Sequence, residues 1–169
     1  WDKIKYFLIN EDSNKLNKYT KSDTKIDVSK CKNIEYDTNP ENRFKGIIYY
    51  LGNGNPKTII NDRKLKIVAS SIYSSVEYYQ PENVINFKND SKFFYSKDSR
   101  DSWLMYDFKK IKIKPTHYSI QSASIDGPGG SHPQSWCIEG SNDDDEWIRL
   151  DTRRGDKNLD NSGVSMTYE

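Results

Sequence analysis

Apolar residues recur at every second position in several short stretches of this chain, which is the spacing that puts side chains on one face of a β-strand. The clearest stretch contains Trp136 and Ile138, which share one face at this period. Residues 140–145 then supply turn formers, and the alternation resumes at Ile148 and Leu150. The pattern predicts a strand, an acidic turn and a second strand, with Trp136 buried in the core of a β-sandwich.

The strand that contains Trp136 is predicted over residues 134–139, and alternating or continuous apolar runs predict further strands at residues 46–51, 65–72, 84–87, 92–95, 102–108 and 118–124. Gly, Pro and Asn separate these stretches, most clearly in the turn-forming residues 52–56. Short strands about every ten residues are typical of all-β sandwiches. We therefore predict one all-β domain over residues 44–169.

Residues 1–43 do not follow this pattern. Ile4 and Leu8 have the spacing of neighbours on one helix face, and Phe7 lies between them. Residues 11–30 are polar and rich in lysine, without a sustained period. We predict that residues 1–43 form an N-terminal arm or linker that lies on the sandwich.

The C-terminal residues 152–169 also depart from the strand pattern. Only Val164, Met166 and Tyr168 alternate, which is too little for a central strand. The sandwich is therefore predicted to lack its closing strand and to leave an open edge beside residues 147–151, which exposes unpaired backbone groups. We expect that the chain is part of a longer protein, or that a neighbouring chain covers this edge.

Composition narrows the class of protein. Aromatic residues make up 13% of the chain, with 12 Tyr and 4 Trp, whereas a disordered chain would be poor in them. No apolar run is long enough for a transmembrane segment. The net charge of +1 gives no general attraction to nucleic acid, so we expect no nucleic-acid partner. Cys31 and Cys137 are predicted to be free thiols, which favours a cytoplasmic location, with an extracellular one as the alternative.

Motifs of enzymes and of metal sites are missing from the sequence. The two histidines, His117 and His132, have no metal-type spacing with the cysteines. No nucleotide-binding loop and no nucleophile-elbow motif occurs. The acidic run 143–146 lacks the spacing of a calcium loop and is typical of a solvated turn. We expect no catalytic residue, no cofactor and no bound metal, and therefore no enzyme.

Four segments, in this order, carry a family resemblance. They are Ala69-Ser70-Ser71; Trp103-Leu104 with Asp107-Phe108; Pro115, Tyr118, Ile120 and Ser122; and Ser135-Trp136 with Ile138-Glu139-Gly140-Ser141-Asn142-Asp143, followed by Trp147 and Leu150-Asp151. Over residues 44–151 this set resembles the discoidin family, also called the coagulation-factor type C domain. The resemblance implies a galactose-binding-like jelly-roll β-sandwich that binds glycans, anionic lipid headgroups or proteins through loops at one end.

The resemblance also implies where a ligand would bind. The segment after the Ala69-Ser70-Ser71 strand, residues 73–81, corresponds to a ligand-contacting loop of the family. Residues 96–102 precede Trp103 and are polar where lipid-binding members carry apolar tips, which disfavours membrane insertion. The candidate contact residues are Tyr73, Tyr78, Tyr79, Arg100 and His132.

Each candidate has an alternative structural role. The tyrosines could stack on a sugar or anchor a protein, or they could pack beneath their own loop. His132 could contact a ligand or only shape the glycine-rich connection 126–133.

The expected function is non-catalytic binding. By analogy with intracellular members of the family, we expect a protein-interaction or scaffold module within a larger chain or assembly, with a cytoskeletal or ciliary role. The alternative is a lectin-like domain that binds carbohydrate or an anionic headgroup.

Overall fold

A computed structural model describes residues 3–8, 32–86, 92–99, 102–123 and 132–169, with residues 3–8 described by their backbone. This part of the chain consists mainly of strands, with a few short helices, so the predicted all-β class is confirmed. The strands are β1 (Lys3–Leu8), β2 (Lys66–Ala69), β3 (Trp103–Asp107), β4 (Tyr118–Gln121), β5 (Trp136–Ser141), β6 (Ile148–Arg153) and β7 (Ser165–Tyr168). The helices are α1 (Ile47–Leu51) and α2 (Pro56–Asn61), with 3₁₀ helices at Pro40–Asn42, Glu77–Tyr79 and Pro81–Ile85.

The strands form two antiparallel sheets. The larger has five strands in the order β2-β3-β1-β5-β6, and the smaller pairs β4 with β7. Among the described residues, β2 and β6 are the edges of the larger sheet. The open edge expected beside residues 147–151 stays a prediction, because residues 9–31 and 124–131 lie outside the described ranges.

The middle strand of the larger sheet comes from the region that the sequence predicted to be an arm. Strand β1 pairs with β3 on one side and with β5 on the other. The helical interpretation of residues 1–10 is therefore wrong over Lys3–Leu8. A short apolar stretch is compatible with both the helical period and the strand period. Here pairing with two strands that are distant in sequence makes the stretch a strand.

Two hydrophobic clusters lie on the same face of the larger sheet, because Leu104 and Ile138 are both register partners of Tyr6. The first cluster joins β2 and β3 to the helices and consists of Ile59, Leu65, Ile67, Ile85, Leu104, Phe108 and Ile113. The second joins β5 to the smaller sheet and consists of Trp136, Ile138, Leu159 and Tyr168. Trp136 has no exposed surface, so its predicted burial is confirmed.

Helix α1 replaces the strand predicted at residues 46–51. The N–H of Tyr50 donates to the carbonyl of Gly46 at 3.0 Å, which is a helical bond. An apolar run of this length is ambiguous by period. Asn55 then caps α2, because its side chain accepts from the N–H of Lys57 at 3.1 Å with Pro56 in the first turn.

Two more predicted strands are wrong. Residues 84–87 were predicted as a strand, but Pro81 starts a 3₁₀ helix that continues to Ile85. Residues 92–95 form no ladder. Instead the N–H of Phe93 donates to the carbonyl of Tyr78 at 3.0 Å, and the carbonyl of Tyr95 accepts from Tyr73 at 2.9 Å. These isolated hydrogen bonds are made to a loop elsewhere in the sequence. They therefore leave no periodic pattern of apolar residues that a strand prediction could use.

The hairpin of β5 and β6 is confirmed, with one difference. Ile138 lies opposite Asp151 and Glu139 lies opposite Arg149, so Leu150 has no partner and forms a β-bulge. Leu150 is 38% exposed, and its predicted inward position is wrong. The C-terminal tail also differs from its predicted loop, since β7 pairs with β4 and buries Tyr168 in the second cluster.

A half-buried network of hydrogen bonds joins the two sheets. The indole Nε1 of Trp136 donates to the hydroxyl of Tyr118 at 2.8 Å. That hydroxyl donates to Oδ2 of Asp151 at 2.5 Å, and Nε of Arg153 donates to the same oxygen at 2.7 Å. Burial and the Asp151 carboxylate raise the pKa of Tyr118, so the hydroxyl stays protonated as a donor. The Trp136 indole, the Tyr118 hydroxyl and the Asp151 carboxylate each have a partner in this network, which is the condition for such a network to be stabilising.

This network predicts a pH-dependent contribution to stability. Burial alone would raise the pKa of Asp151, but hydrogen bonds from Tyr118, Arg153 and the Thr152 N–H outweigh it and lower that pKa below 3.8. The folded state therefore favours the ionised form, and this stability is complete above about pH 4 and lost as pH falls through the lowered pKa. We expect Asp151→Asn to cost about 2 kcal/mol at pH 7, as for hydrogen bonds to a charged group.

Urea unfolding of both proteins between pH 2 and 7 measures this effect. The difference between wild type and Asp151→Asn should be constant at neutral pH and shrink in acid. Asp145→Asn, in the exposed turn, is the control and should change stability little at any of these pH values. A difference that does not vary with pH would contradict the assignment.

Candidate binding surface at one end of the sheet

The sheet register brings the predicted loops to one end of the molecule. Strand β2 ends at Ala69, whose partner is Leu104, while Phe7 lies opposite both Trp103 and Cys137. The segment after β2, the segment before β3 and the segment before β5 therefore all leave this end of the sheet. The first two segments contact each other, because the N–H of Lys97 donates to Ser71 Oγ at 3.2 Å.

Residues 70–85, which we name the tyrosine loop, are held by their own hydrogen bonds. The amide of Gln80 donates to the carbonyl of Val76 at 2.9 Å, and the amide of Asn83 donates to the carbonyl of Glu77 at 2.9 Å. Pro81 and Ile85 are buried and fasten the C-terminal end of the loop to the molecule. A loop fixed in this way loses little conformational freedom when a partner binds.

Three apolar side chains of the tyrosine loop point to solvent. Tyr73 is 58% exposed, Val76 is 45% exposed and Tyr78 is 51% exposed. We name these three residues the tyrosine surface. All three are among the exposed large hydrophobic residues of the described chain, and they lie within one stretch of six residues.

An aromatic layer supports this surface from below. The ring of Tyr73 meets the rings of Tyr79 and Tyr95 edge to face, with centroids 5.6 and 5.4 Å apart. Phe93 meets Tyr79 in the same way at 5.5 Å. These are favourable aromatic geometries. Tyr79 was predicted as an exposed anchor, but it is half-buried in this layer, so for Tyr79 the alternative of packing under the loop holds.

Both acidic and basic side chains lie near the tyrosine surface in the described part of the chain. Lys92 forms an ion pair with Glu77, and the hydrogen bond from Lys92 lowers the pKa of Glu77. Exposed Lys97 and Asp98 lie on the adjoining segment. Among the described residues, charges of both signs lie near this apolar and aromatic surface, which suits contact with protein or with the apolar face of a sugar better than recognition of a phosphate.

The structure describes one of the two other predicted contact residues. Arg100 lies outside the described residues. His132 precedes β5 at the same end of the sheet and is half-buried. Its Nδ1 atom is buried without a hydrogen-bond partner in the described part of the chain.

Side chains at the acidic turn after β5 stabilise the turn through hydrogen bonds to its backbone. Oδ1 of Asp143 accepts from the N–H groups of Asp145 and Glu146, both at 3.0 Å, and Ser141 Oγ accepts from Asp144 at 2.9 Å. The bond from the Asp145 N–H is the largest cause of a lowered pKa for Asp143. Within the described ranges, no group of three His, Cys, Asp or Glu residues is placed to hold a metal ion.

The thiol of Cys137 does not suit nucleophilic chemistry. It is free, as predicted, and it is also buried, which raises its pKa to about 11. A nucleophilic cysteine needs a lowered pKa and access to solvent. Cys31 lies outside the described residues. In the described part of the chain, no helix has the length and apolar character that crossing a membrane needs.

The sequence patterns did not identify the residues that support the tyrosine surface. Gln80 and Asn83 act through amide contacts with loop carbonyls, and Phe93 and Tyr95 were assigned to a strand. One signal was available for Val76, which is an apolar residue between polar neighbours in a segment rich in turn formers.

The chain is similar to part of a known, longer protein. No family model matches the chain, and no solved structure matches it. The chain is similar to the E3 ubiquitin-protein ligase Ufd4 of Drosophila melanogaster, with 29% identity over 128 residues. This match covers 73% of the chain but only 4% of the ligase. The chain therefore resembles a small segment of a much longer protein.

Proposed function

We propose that this chain is a non-catalytic binding module, a jelly-roll sandwich of the discoidin type that serves as a protein-interaction or scaffold domain within a larger chain or assembly. The observation that carries the proposal is the tyrosine surface. Tyr73, Val76 and Tyr78 are exposed together on a loop that hydrogen bonds and buried anchors hold in place.

The physical case for a protein partner rests on these side chains. Tyrosine gives a large contact area and a polar tip, with few rotatable bonds to restrict on binding. Aromatic residues are enriched among those that dominate binding energy at interfaces. The mixed charges of the described residues nearby favour a protein or a glycan over an anionic headgroup.

The sandwich assignment has two supports. Two antiparallel sheets bury side chains between them, with Trp136 of β5 against Tyr168 of β7. The segments that the family uses for ligands leave one end of the larger sheet.

The likeness to a 4% segment of Ufd4 supports a module inside a longer protein. We propose that the module holds a partner of such a chain in the cytoplasm, at the cytoskeleton or a cilium, and takes no part in ubiquitin transfer.

The test compares capture by matched variants. We expect Tyr73→Ala with Tyr78→Ala to weaken binding of the protein partner about 100-fold, as for two interface anchors. Stability should fall by only about 1 kcal/mol, from the lost ring contacts of Tyr73. Partners captured from cell extract by the wild type are identified, and their affinities for each purified variant are then measured by titration.

Tyr50→Ala is the matched control. Tyr50 is an exposed tyrosine of helix α1, with 41% of its surface accessible, and its substitution should leave the affinity unchanged. Equal losses in the two variants, or partners that the double variant retains, would count against the proposal. A glycan array tests the lectin alternative. A specific glycan signal that the wild type gives and the double variant loses would establish that alternative instead.

A further inference from the structure

We propose that a basic surface, at the end of the larger sheet opposite the tyrosine loop, binds an acidic segment of a partner protein. Two segments, one before β2 and one after β3, supply its seven side chains, which are those of Arg63, Lys64, Lys66, Lys109, Lys110, Lys112 and Lys114. The inference rests on the sheet register and on charge, and it goes beyond the role proposed for the tyrosine surface.

The sheet register places both segments at one end of the molecule. Strand β2 begins at Lys66, whose partner is Asp107 at the end of β3. Asp107 and Ser141 are both partners of Lys3, so β5 ends at the same level. The segment before β2, the segment after β3 and the turn after β5 therefore leave this end of the sheet, whereas the tyrosine loop leaves the other end.

Buried apolar residues hold the backbone of both segments. Leu65, Phe108 and Ile113 are buried in the first hydrophobic cluster. The N–H of Lys64 donates to the carbonyl of buried Ile59 at 3.0 Å. Six of the seven basic residues are exposed, and the seventh, Lys64, is half-buried. The surface is thus presented on a fixed backbone, which reduces the entropy that a partner's binding would cost.

The basic surface concentrates positive charge. Residues 62–66 and 107–114 contain seven basic and two acidic residues, a net charge of +5, whereas the whole chain carries +1. The remainder of the chain is therefore acidic on balance. A local concentration of one sign attracts a partner of the opposite sign and raises its rate of association, even in a protein with little net charge.

Two carboxylates of the same segments neutralise part of this charge. Nζ of Lys64 lies 2.8 Å from Oδ2 of Asp62, and Nζ of Lys109 lies 2.6 Å from Oδ2 of Asp107. Ion pairs at an exposed position contribute little to stability, so their lysines remain available to a partner. Nζ of Lys112 donates instead to the amide oxygen of Asn142 at 2.8 Å, which is a neutral acceptor.

The same contact of Lys112 with Asn142 favours a protein segment over a larger polyanion. It places the acidic turn of residues 143–146, which is exposed, beside the basic surface. A membrane surface or a nucleic-acid duplex brought to this end would also meet those carboxylates, and like charges repel. A short acidic segment can contact the lysines without reaching the turn. Lysine is a compact charge on a flexible stem, which suits carboxylates at varied positions.

The experiment measures binding of a fluorescein-labelled glutamate peptide to the full chain by fluorescence anisotropy. We expect saturable binding that weakens about 10-fold when NaCl is raised from about 50 mM to about 300 mM, because salt screens exposed charges. Lys110→Glu with Lys114→Glu should weaken binding at low salt by about 10-fold or more. Both lysines are exposed, so the melting temperature should stay close to that of the wild type.

Lys97→Glu with Lys157→Glu is the matched control. It makes the same change in net charge at two exposed lysines, of which one precedes β3 and the other follows β6, away from the basic surface. Its affinity for the glutamate peptide should stay near that of the wild type. A glutamine peptide of the same length should not bind any of the proteins.

A loss confined to the Lys110 and Lys114 variant supports the proposal. Equal losses in the two double variants would trace binding to overall charge and overturn it, as would the absence of saturable binding by the wild type at low salt. Tighter binding of phosphatidylserine vesicles or of a DNA duplex would overturn the choice of a protein partner. The Tyr73→Ala, Tyr78→Ala variant should still bind the glutamate peptide, so failure of the tyrosine surface to bind a partner would leave this result unaffected.

Discussion

Trp136→Ala is expected to lower the free energy of unfolding by about 3–5 kcal/mol, as a large-to-small change in a packed core. The indole has no exposed surface and meets the Tyr168 ring edge to face, with centroids 5.1 Å apart. Its removal leaves a cavity between the two sheets and also takes away the donor to Tyr118. Urea unfolding followed by circular dichroism measures the loss without relying on tryptophan fluorescence.

Two variants divide this effect into its parts. Trp136→Phe keeps most of the ring but removes the Nε1 donor, so it should cost about 1–3 kcal/mol, the penalty for a lost buried hydrogen bond and a smaller side chain. Trp147→Ala is the control within the same hairpin, where the indole is only half-buried. If Trp136→Ala costs no more than Trp147→Ala, the placement of Trp136 between the sheets is wrong.

Lys5→Pro is expected to cost about 3 kcal/mol, because proline in a strand with neighbours on both sides removes a ladder bond and leaves a carbonyl unpaired. Lys5 lies in the middle of β1, between β3 and β5. Loss of β1 should separate the two hydrophobic clusters, which lie on either side of it along the sheet, and reduce the cooperativity of unfolding. A lower slope of the free energy against urea concentration would report that change.

Two controls separate the backbone effect from the side-chain effect. Lys5→Ala removes the amine but keeps the N–H, and it should cost much less than Lys5→Pro. Lys3→Pro changes the first residue of the strand, where proline is tolerated. Were residues 1–43 an arm lying on the sandwich, all three substitutions would be nearly neutral, and that result would contradict the central position of β1.

The features that the sequence alone determined are local ones. The hairpin of β5 and β6 was predicted because the period of two at Trp136 and Ile138 stops at a run of turn formers. That signal needs no knowledge of the rest of the chain. Strand β3 was found in the same way, because its apolar run is bounded by polar segments. The all-β class followed from the number and spacing of such stretches.

The candidate surface was predictable in position but not in detail. Family resemblance placed the loop after β2 and the segment before β3 at one end of the molecule, and the register agrees. Tyr78 and Tyr79 are adjacent residues of the same type, so the sequence does not distinguish them. Packing decides which of the two faces solvent. Tyr79 became part of the support because Phe93 and Tyr95, which are distant in sequence, lie beneath it.

Only the tertiary structure decided the role of residues 3–8 and of the C-terminal tail. Both are short, and a short apolar stretch gains too little from its own hydrogen bonds to select strand over helix or loop. Strand β1 is selected by two ladders on residues about a hundred positions away, and β7 by pairing with β4. Local composition carries no record of such distant partners. The same limit explains α1, where an apolar run became a helix because it packs on α2 and the first cluster.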